Sequence, residues 1–302
     1  MLNRASKPFV KLVERYLPDP YIFVLLLTLV TFVLAVVIQN QTPLTTIQQW
    51  GDGFWGLLTF SMQMLLVLVT GFMLACTPLV KTLLERLASL AKSAGSAIVL
   101  VTLVSLVASW INWGFGLVVG ALFAKALARK VSVDYRLLVA SAYSGFVVWH
   151  GGLAGSVPLT IATPGHFSEA QIGVIGTGDT IFSGFNLLLL AIMFVVIPLV
   201  NRLMLPPSSE SIIVDRAKLQ DDTLPSTTNE RPADKLENSK ALGLLVGFAG
   251  LAYLTNYFVA GGGLNLNVVN TLFLFLAIVL HGTPRNVLHS LQQAVQGGSG
   301  IV

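Results

Sequence analysis

The stretch WINWGFG, residues 110–116, interrupts an apolar run, Ala97–Ala124, that is longer than one membrane-spanning helix requires. A spanning helix takes about 20 residues, and glycines near the middle of a longer run allow the chain to turn there. The run is therefore either one long crossing or a re-entrant hairpin whose two arms enter and leave on the same side. This choice decides on which side of the membrane every later segment lies.

Basic residues distinguish the crossing from the hairpin, because membrane proteins keep Lys and Arg in their cytoplasmic loops. If the run is a hairpin, all 18 Lys and Arg residues lie on the cytoplasmic side. If it crosses, eleven of the 18, from Lys125 onwards, lie outside. The hairpin is therefore predicted, with a cytoplasmic N-terminus and outer loops at Gln39–Gly53, Pro164–Thr180 and Ala260–Asn267.

The predicted lengths of the two arms agree with a hairpin, which we place at residues 97–128. Arms at Ala97–Ile111 and Leu117–Ala128 would be about 22 and 18 Å long at ~1.5 Å per residue. Both lengths fall short of a hydrocarbon core of about 30 Å.

The composition indicates a membrane protein and excludes several other classes. Of the 302 residues, 54% are hydrophobic and only 11% are charged, against about 25% charged in a soluble domain. A single cysteine, Cys76, and four scattered histidines predict neither a disulfide framework nor a metal site, and no motif predicts a cofactor. The net charge of +4 comes from residues at membrane ends, so nucleic acid is not an expected partner. The first apolar run, Tyr21–Ile38, is too long for a signal peptide and is interpreted as an uncleaved helix.

The fold class predicted is an all-α polytopic membrane protein with about six spanning helices, one re-entrant hairpin and one broken helix. The broken helix covers residues 137–163 and is interrupted by WHGG, residues 149–152. Residues 1–200 form a first membrane half, residues 201–240 a polar cytoplasmic linker, and residues 241–302 the incomplete start of a second half. The spanning segments are Tyr21–Ile38, Phe54–Cys76, Leu137–Thr163, Ile181–Val200, Ala241–Val259 and Val268–Leu280, the last with true ends expected further out.

The two breaks predict a binding site for an anion. Irregular backbone at membrane depth is tolerated only where protein buries it or where it lines a cavity, and paired breaks are typical of transporter sites. A helix would begin after Gly114 and Gly116, and another at about Leu153, after Gly151 and Gly152. Both N-termini would present free N–H groups and a positive dipole end. The alternative is that these glycines only allow helices to pack closely.

Five side chains beside the breaks are the remaining candidates. Asn112 can donate to a carboxylate or cap a nearby backbone group. Trp113 and Trp149 can form an apolar wall for a short alkyl chain or simply pack. Ser156 offers a hydroxyl just after the second break. His150 is the only ionisable group at either break, and it is either a proton-coupling residue or a neutral, hydrogen-bonded histidine.

One motif suggests an enzyme. Residues 176–179, GTGD, match the G-x-G-D pattern of intramembrane aspartyl proteases, whose chemistry needs two aspartates sharing a proton. The second aspartate would have to be Asp134, which the predicted topology places on the opposite side of the membrane from Asp179. Asp179 is better explained as an acidic residue at a helix N-terminus, so catalysis is not predicted.

Four stretches resemble the bacterial short-chain fatty acid transporter family: YLPDP (16–20), WGDGFW (50–55), INWGFGLVVG (111–120) and GDTIFSGFN (178–186). The resemblance implies uptake of fatty acids such as acetoacetate or butyrate through the inner membrane. It also implies a distant likeness to inverted-repeat transporters with one re-entrant hairpin in each repeat. Family members continue past residue 302, so the resemblance implies that the chain is truncated at its C-terminus and that a second hairpin follows.

The function predicted is secondary transport of short monocarboxylate anions, coupled to a proton or a sodium ion. The expected partners are the anion, the coupling ion, the lipid bilayer and, as one option, further copies of the chain in a homo-oligomer. A dicarboxylate or other organic-anion permease is the alternative within transport.

Overall fold

The computed structural model describes residues 8–10, 12–13, 15–219 and 231–297. Within these ranges every regular element is helical, which confirms the predicted all-α class. The chain divides into two compact units, residues 1–59 and residues 60–302.

The first unit contains helices α1 (Pro20–Val37) and α2 (Pro43–Gly53). The Asp19 carboxylate caps α1 by accepting from the Tyr21 N–H at 2.9 Å, and a proline occupies the first helical position. Most side chains of α1 are apolar and exposed, as a surface that faces lipid requires. Helix α2 lies in a stretch that the sequence predicted only as an outer loop. The helix begins there because Thr42 caps it and a proline occupies its first turn.

Helix α3 (Leu58–Ala75) leads into the larger unit and is followed by α4 (Pro78–Ala88). Helices α5 (Ala94–Ile111) and α6 (Trp113–Lys130) then form the predicted hairpin.

Small residues bring the two arms of the hairpin together. A Cβ added to Gly116 would lie 2.5 Å from the Ser109 Cα, and one added to Gly120 would lie 3.0 Å from the Ser105 Oγ. This register is antiparallel, so α5 and α6 return to the same side, with only Asn112 between them.

The arms of the hairpin are longer than predicted. Each has 18 residues, or about 27 Å at ~1.5 Å per residue. The predicted start at Leu117 was wrong because Asn112 already caps the helix at Trp113. Arm length therefore does not support a shallow re-entrant tip. The antiparallel packing of the arms is instead what places their outer ends on the same side.

The predicted broken helix is present, but its break is earlier and longer than expected. Helix α7 (Tyr135–Ser144) passes into a 3-10 segment, Gly145–Gly151, and α8 (Ser156–Ile161) follows. The Ser105 hydroxyl donates to the Ala142 carbonyl. In a continued α-helix that carbonyl would accept from the N–H four residues later, so its capture favours the tighter 3-10 turn.

The remaining helices lie between the broken helix and the end of the described chain, and they include the later predicted spans. Ser183 caps the fourth predicted span, so that helix begins at Gly184 instead of Ile181. The last predicted span extends outwards at both ends, as expected. These elements are α9 (Glu169–Ile172), α10 (Gly184–Leu203), 3-10 turns at Ser208–Glu210 and Arg216–Leu219, α11 (Pro232–Glu237), α12 (Lys240–Val259), α13 (Leu266–His281) and α14 (Pro284–Gly297).

The first part of the predicted linker is docked onto the membrane helices. The Ile212 N–H donates to the Asp134 carboxylate, and the Ile212 carbonyl accepts from the Tyr135 N–H, both at 2.9 Å. Leu219 is buried in the core between the hairpin and α7. Residues 220–230 lie outside the described part of the chain, and a flexible linker stays a prediction.

Five helical segments are long and apolar enough to cross a membrane, judged by length and composition, and α1 and α13 are shorter apolar helices. Polytopic membrane architecture is thus confirmed. Helix α5 is one of the five, although it is an arm of the hairpin. The others are α3, the segment Tyr135–Ile161, α10 and α12.

Candidate functional site

The tip of the hairpin is formed by Asn112, which is completely buried. Its Oδ1 accepts from the Phe115 N–H at 2.9 Å, and its backbone carbonyl accepts from the Gly116 N–H at 2.8 Å. The side chain is therefore the N-cap of α6. Its Nδ2 has no hydrogen-bond partner among the described residues, although it is buried. The predicted capping role of Asn112 is thus confirmed by its oxygen, whereas donation from its amide to a carboxylate stays a prediction.

Helix α3 covers the tip. A Cβ added to Gly71 would lie 2.8 Å from the Asn112 Oδ1, and one added to Gly114 would lie 2.6 Å from the Leu68 Cα. Gly116 in turn faces Ser109 on the other arm. These glycines therefore allow close packing of helices, as the alternative interpretation expected. Contact between Gly114 or Gly116 and a substrate stays a prediction.

The second break lies against the first. The Leu153 N–H donates to the Trp110 carbonyl at 2.7 Å. Gly152 packs on the same residue, and Gly151 packs on Asn186. The sequence predicted two separate breaks with a shared role, and the structure brings them into direct contact.

Aromatic rings surround the tip. The Trp113 and Trp149 rings meet edge to face with centroids 5.5 Å apart, and Phe146 lies 6.2 Å from Trp113 and 4.6 Å from Trp149. Trp113 is buried, and its Nε1 has no partner among the described residues. The tip therefore holds two consecutive side chains with unsatisfied N–H donors beside an apolar wall.

Unsatisfied buried donors are costly, at about 1–3 kcal/mol each. A bound carboxylate would remove that cost by accepting from the Asn112 amide and the Trp113 indole, while the rings would contact its alkyl chain. Binding of a small anion with an apolar tail by these neutral donors stays a prediction.

The second helix N-terminus is weaker than predicted. Helix α8 begins at Ser156 and not at Leu153, and it has only six residues. Ser156 is buried, and its carbonyl accepts from the Thr160 hydroxyl at 2.5 Å. No side chain caps α8, so its first N–H groups stay available. A role for Ser156 in binding stays a prediction.

His150 lies outside this cluster. Its side chain is exposed, its ring centroid is 4.1 Å from that of Trp149, and it has no hydrogen-bond partner within the described ranges. The hydrogen bond that the alternative interpretation expected for a neutral His150 is therefore not seen among the described residues, and ion coupling through His150 stays a prediction.

The sequence did not identify two residues that position the site. Asn186 donates to the carbonyls of Gly151 and Ile181, at 3.0 and 2.7 Å, and so holds the second break. It lies in the GDTIFSGFN stretch, which was a usable signal. The Ser105 hydroxyl donates to the Ala142 carbonyl just before the 3-10 segment, and a serine within an apolar helix gives no such signal.

The two aspartates of the protease alternative do not form a dyad-like site. Asp134 is engaged by Arg136 and by the N–H groups of Leu137 and Ile212. Asp179 is exposed in a turn five residues before α10, so its predicted place at the start of that helix was wrong.

Comparison with known proteins identifies a single family. The family model described as short chain fatty acid transporter matches residues 1–302. Two curated proteins provisionally named short-chain fatty acid transporter are similar to the whole chain, which spans 70% of the length of each. The protein from Escherichia coli K12 is 44% identical over 309 residues, and that from Haemophilus influenzae is 40% identical over 314. No solved structure matches the chain.

Proposed function

Because the chain belongs to the short chain fatty acid transporter family, we propose that it carries short monocarboxylates such as butyrate across the bacterial inner membrane. The hairpin tip binds the carboxylate, and the N-terminus of the chain lies in the cytoplasm. The protein acts as a transporter and not as an enzyme.

The observation that carries the proposal is the pair of unsatisfied donors at the tip, the Asn112 Nδ2 and the Trp113 Nε1. Both side chains are buried, and Trp149 and Phe146 lie against the indole ring. A carboxylate with a short alkyl chain matches both features. A dicarboxylate would place a second charge against the aromatic wall, where burial of an unpaired charge is costly.

The neutral character of these two donors also bears on how transport of the anion is coupled to a cation. No Lys or Arg lies between Trp110 and Ala124 or between Leu137 and Thr163, so nothing fixed at the breaks neutralises the anion. Movement of the anion together with a proton or a sodium ion would neutralise its charge during transport. His150 is the ionisable residue closest in sequence to the site and is our candidate for a proton-coupled step.

The test is uptake of labelled butyrate by vesicles that contain the intact protein. We expect uptake to depend on an imposed proton or sodium gradient and to be inhibited by unlabelled butyrate more strongly than by succinate. Asp179→Asn should transport normally, because Asp179 lies exposed in an outer turn. Absence of gradient-dependent uptake would contradict secondary transport, and stronger inhibition by succinate would favour a dicarboxylate permease.

A further inference from the structure

A cavity of about 560 Å³ lies beside the hairpin, on the side predicted to be cytoplasmic. Its walls come from α3, α4, α6, α13 and α14. Its lining includes the apolar residues Leu68, Phe72 and Leu117 as well as Lys81, Lys125 and His289. Apolar and basic side chains in one cavity match the two ends of a short fatty acid.

The cavity follows one face of α6, the helix that begins at the hairpin tip. Leu117, Ala121 and Lys125 line it at intervals of four residues, which places them on one side of the helix. Trp113 precedes Leu117 by the same interval. The stripe therefore begins about one helical turn after Trp113 and reaches Lys125 about 20 Å from Asn112, at ~1.5 Å per residue.

The two lysines of the cavity have no carboxylate partners, unlike their neighbours. Glu85 binds Arg129 at 2.5 Å and Lys130 at 3.6 Å, which leaves it engaged away from the cavity. Lys81 and Lys125 pair with no carboxylate in the part of the chain that the structure describes, and both are half-buried. If Lys81 and Lys125 served only as positive charges that orient the protein in the membrane, they would not need to line the same cavity.

A buried hydroxyl points to a ligand independently of the lysines. Ser290 on α14 lines the same cavity and is 2% exposed, and its Oγ has no partner among the described residues. A buried hydroxyl without a partner costs free energy that a bound acceptor would recover.

We propose that this cavity is a second binding site for the carboxylate, on the path between the hairpin tip and the cytoplasm. Lys81 and Lys125 attract the carboxylate, and Ser290 donates to it. The apolar end of the cavity contacts the alkyl chain as the anion moves along α6. The proposal rests on the proposed function, because its ligand is the transported monocarboxylate.

Cys76 is a natural reporter, since it lines the cavity and is the only cysteine of the chain. In inside-out vesicles with the intact protein, an anionic methanethiosulfonate reagent should modify Cys76. Butyrate should slow the reaction, whereas its neutral analogue butyramide should not. Lys81→Gln and Lys125→Gln should each raise the butyrate concentration for half-protection about two- to fivefold, as loss of a partly exposed charge predicts. Lys125→Arg should restore protection, and Lys240→Gln, which removes an exposed charge outside the cavity, should change nothing.

Butyrate uptake, measured in the same vesicles, separates the two proposals. Normal uptake without protection of Cys76 would overturn the second site alone, whereas absence of uptake in every vesicle would overturn the proposed function. A lipid headgroup could also supply an anion. If phosphatidylglycerol protects Cys76 in phosphatidylcholine vesicles and butyrate does not, the cavity binds lipid and the proposal is wrong.

Discussion

At the scale of single residues, Asn112 shows how one side chain can serve the fold and the site together. Its oxygen caps α6 through the Phe115 N–H, and its nitrogen has no partner among the described residues. Gly116, by contrast, faces Ser109, so a bulky residue there would separate the hairpin arms before it could affect a ligand. Asn112 is therefore the better position at which to test the site.

Asn112→Asp should separate the cap from the donor. Aspartate caps a helix as well as asparagine, and the helix N-terminus favours its charged form. The variant should insert and remain folded, but it should lose at least about tenfold in butyrate uptake, because a carboxylate would face the carboxylate of the substrate.

Asn112→Ala is the comparison for that variant, since it should also lose about 1 kcal/mol of stability with the cap. Uptake and thermal unfolding of the two variants check these expectations. Wild-type uptake by Asn112→Asp would show that the amide N–H groups do not contact the substrate.

At the scale of elements, the breaks in the helices are held by partners distant in sequence. Ser105 captures the Ala142 carbonyl, and Asn186 holds the carbonyl of Gly151. The first part of the linker is fixed in the same way, by the buried Asp134 at the start of α7. In each of these three segments a polar side chain from elsewhere in the chain bonds to a backbone group.

Asp134→Ala should release the first part of the linker. It removes the acceptor for the N–H groups of Ile212 and Leu137, which should cost about 1–3 kcal/mol. Trypsin should then cleave after Arg216 and Lys218 faster than in the wild type. Asp215→Ala is a matched control, because Asp215 is exposed and its carboxylate accepts, among the described residues, only from the nearby Ala217 N–H. Equal cleavage rates in both variants would show that Asp134 does not hold the linker.

The contact between the Asp134 carboxylate and the Ile212 N–H should persist in mild acid. Burial raises the pKa of Asp134, but hydrogen bonds from Arg136, Ile212 and Leu137 outweigh it and leave the pKa below its ordinary value. A carboxyl whose folded-state pKa is lowered stabilises the fold above its unfolded pKa, about 3.9, and loses that effect as the pH falls through the folded value. Wild-type cleavage by an acid-active protease should therefore increase only below about pH 4.

At the scale of the whole molecule, the antiparallel hairpin decides the orientation of everything after it. Helices α5 and α6 have equal length and one connecting residue, so the ends of both arms lie on one side at whatever depth the tip lies. This arrangement agrees with the orientation in which all 18 basic residues are cytoplasmic.

Cysteines placed at Ser89 and Ser132, in a Cys76→Ser background, should react with an impermeant thiol reagent from the same, cytoplasmic, face. Both positions are exposed and lie at opposite ends of the hairpin in sequence. A cysteine at Gln171, an exposed position in α9 on the side predicted to be outer, should react only from the other face. Labelling of Ser89→Cys and Ser132→Cys from opposite faces would refute the hairpin.

The sequence by itself determined the helical class, the hairpin, the two breaks and the family, because apolar run length, glycine position and the placement of Lys and Arg are local properties of the chain. It also identified Asn112, which caps α6 and whose amide nitrogen has no partner among the described residues. Only the tertiary structure decided that Leu153 bonds to Trp110, that Gly114 and Gly116 face other helices, and that Lys81 and Lys125 share a cavity. These contacts join residues that are 40 or more positions apart, or that face each other across two helices. They depend on how side chains pack at the interfaces between helices. Neither the hydrophobic periodicity nor the charge pattern of a single segment predicts that packing.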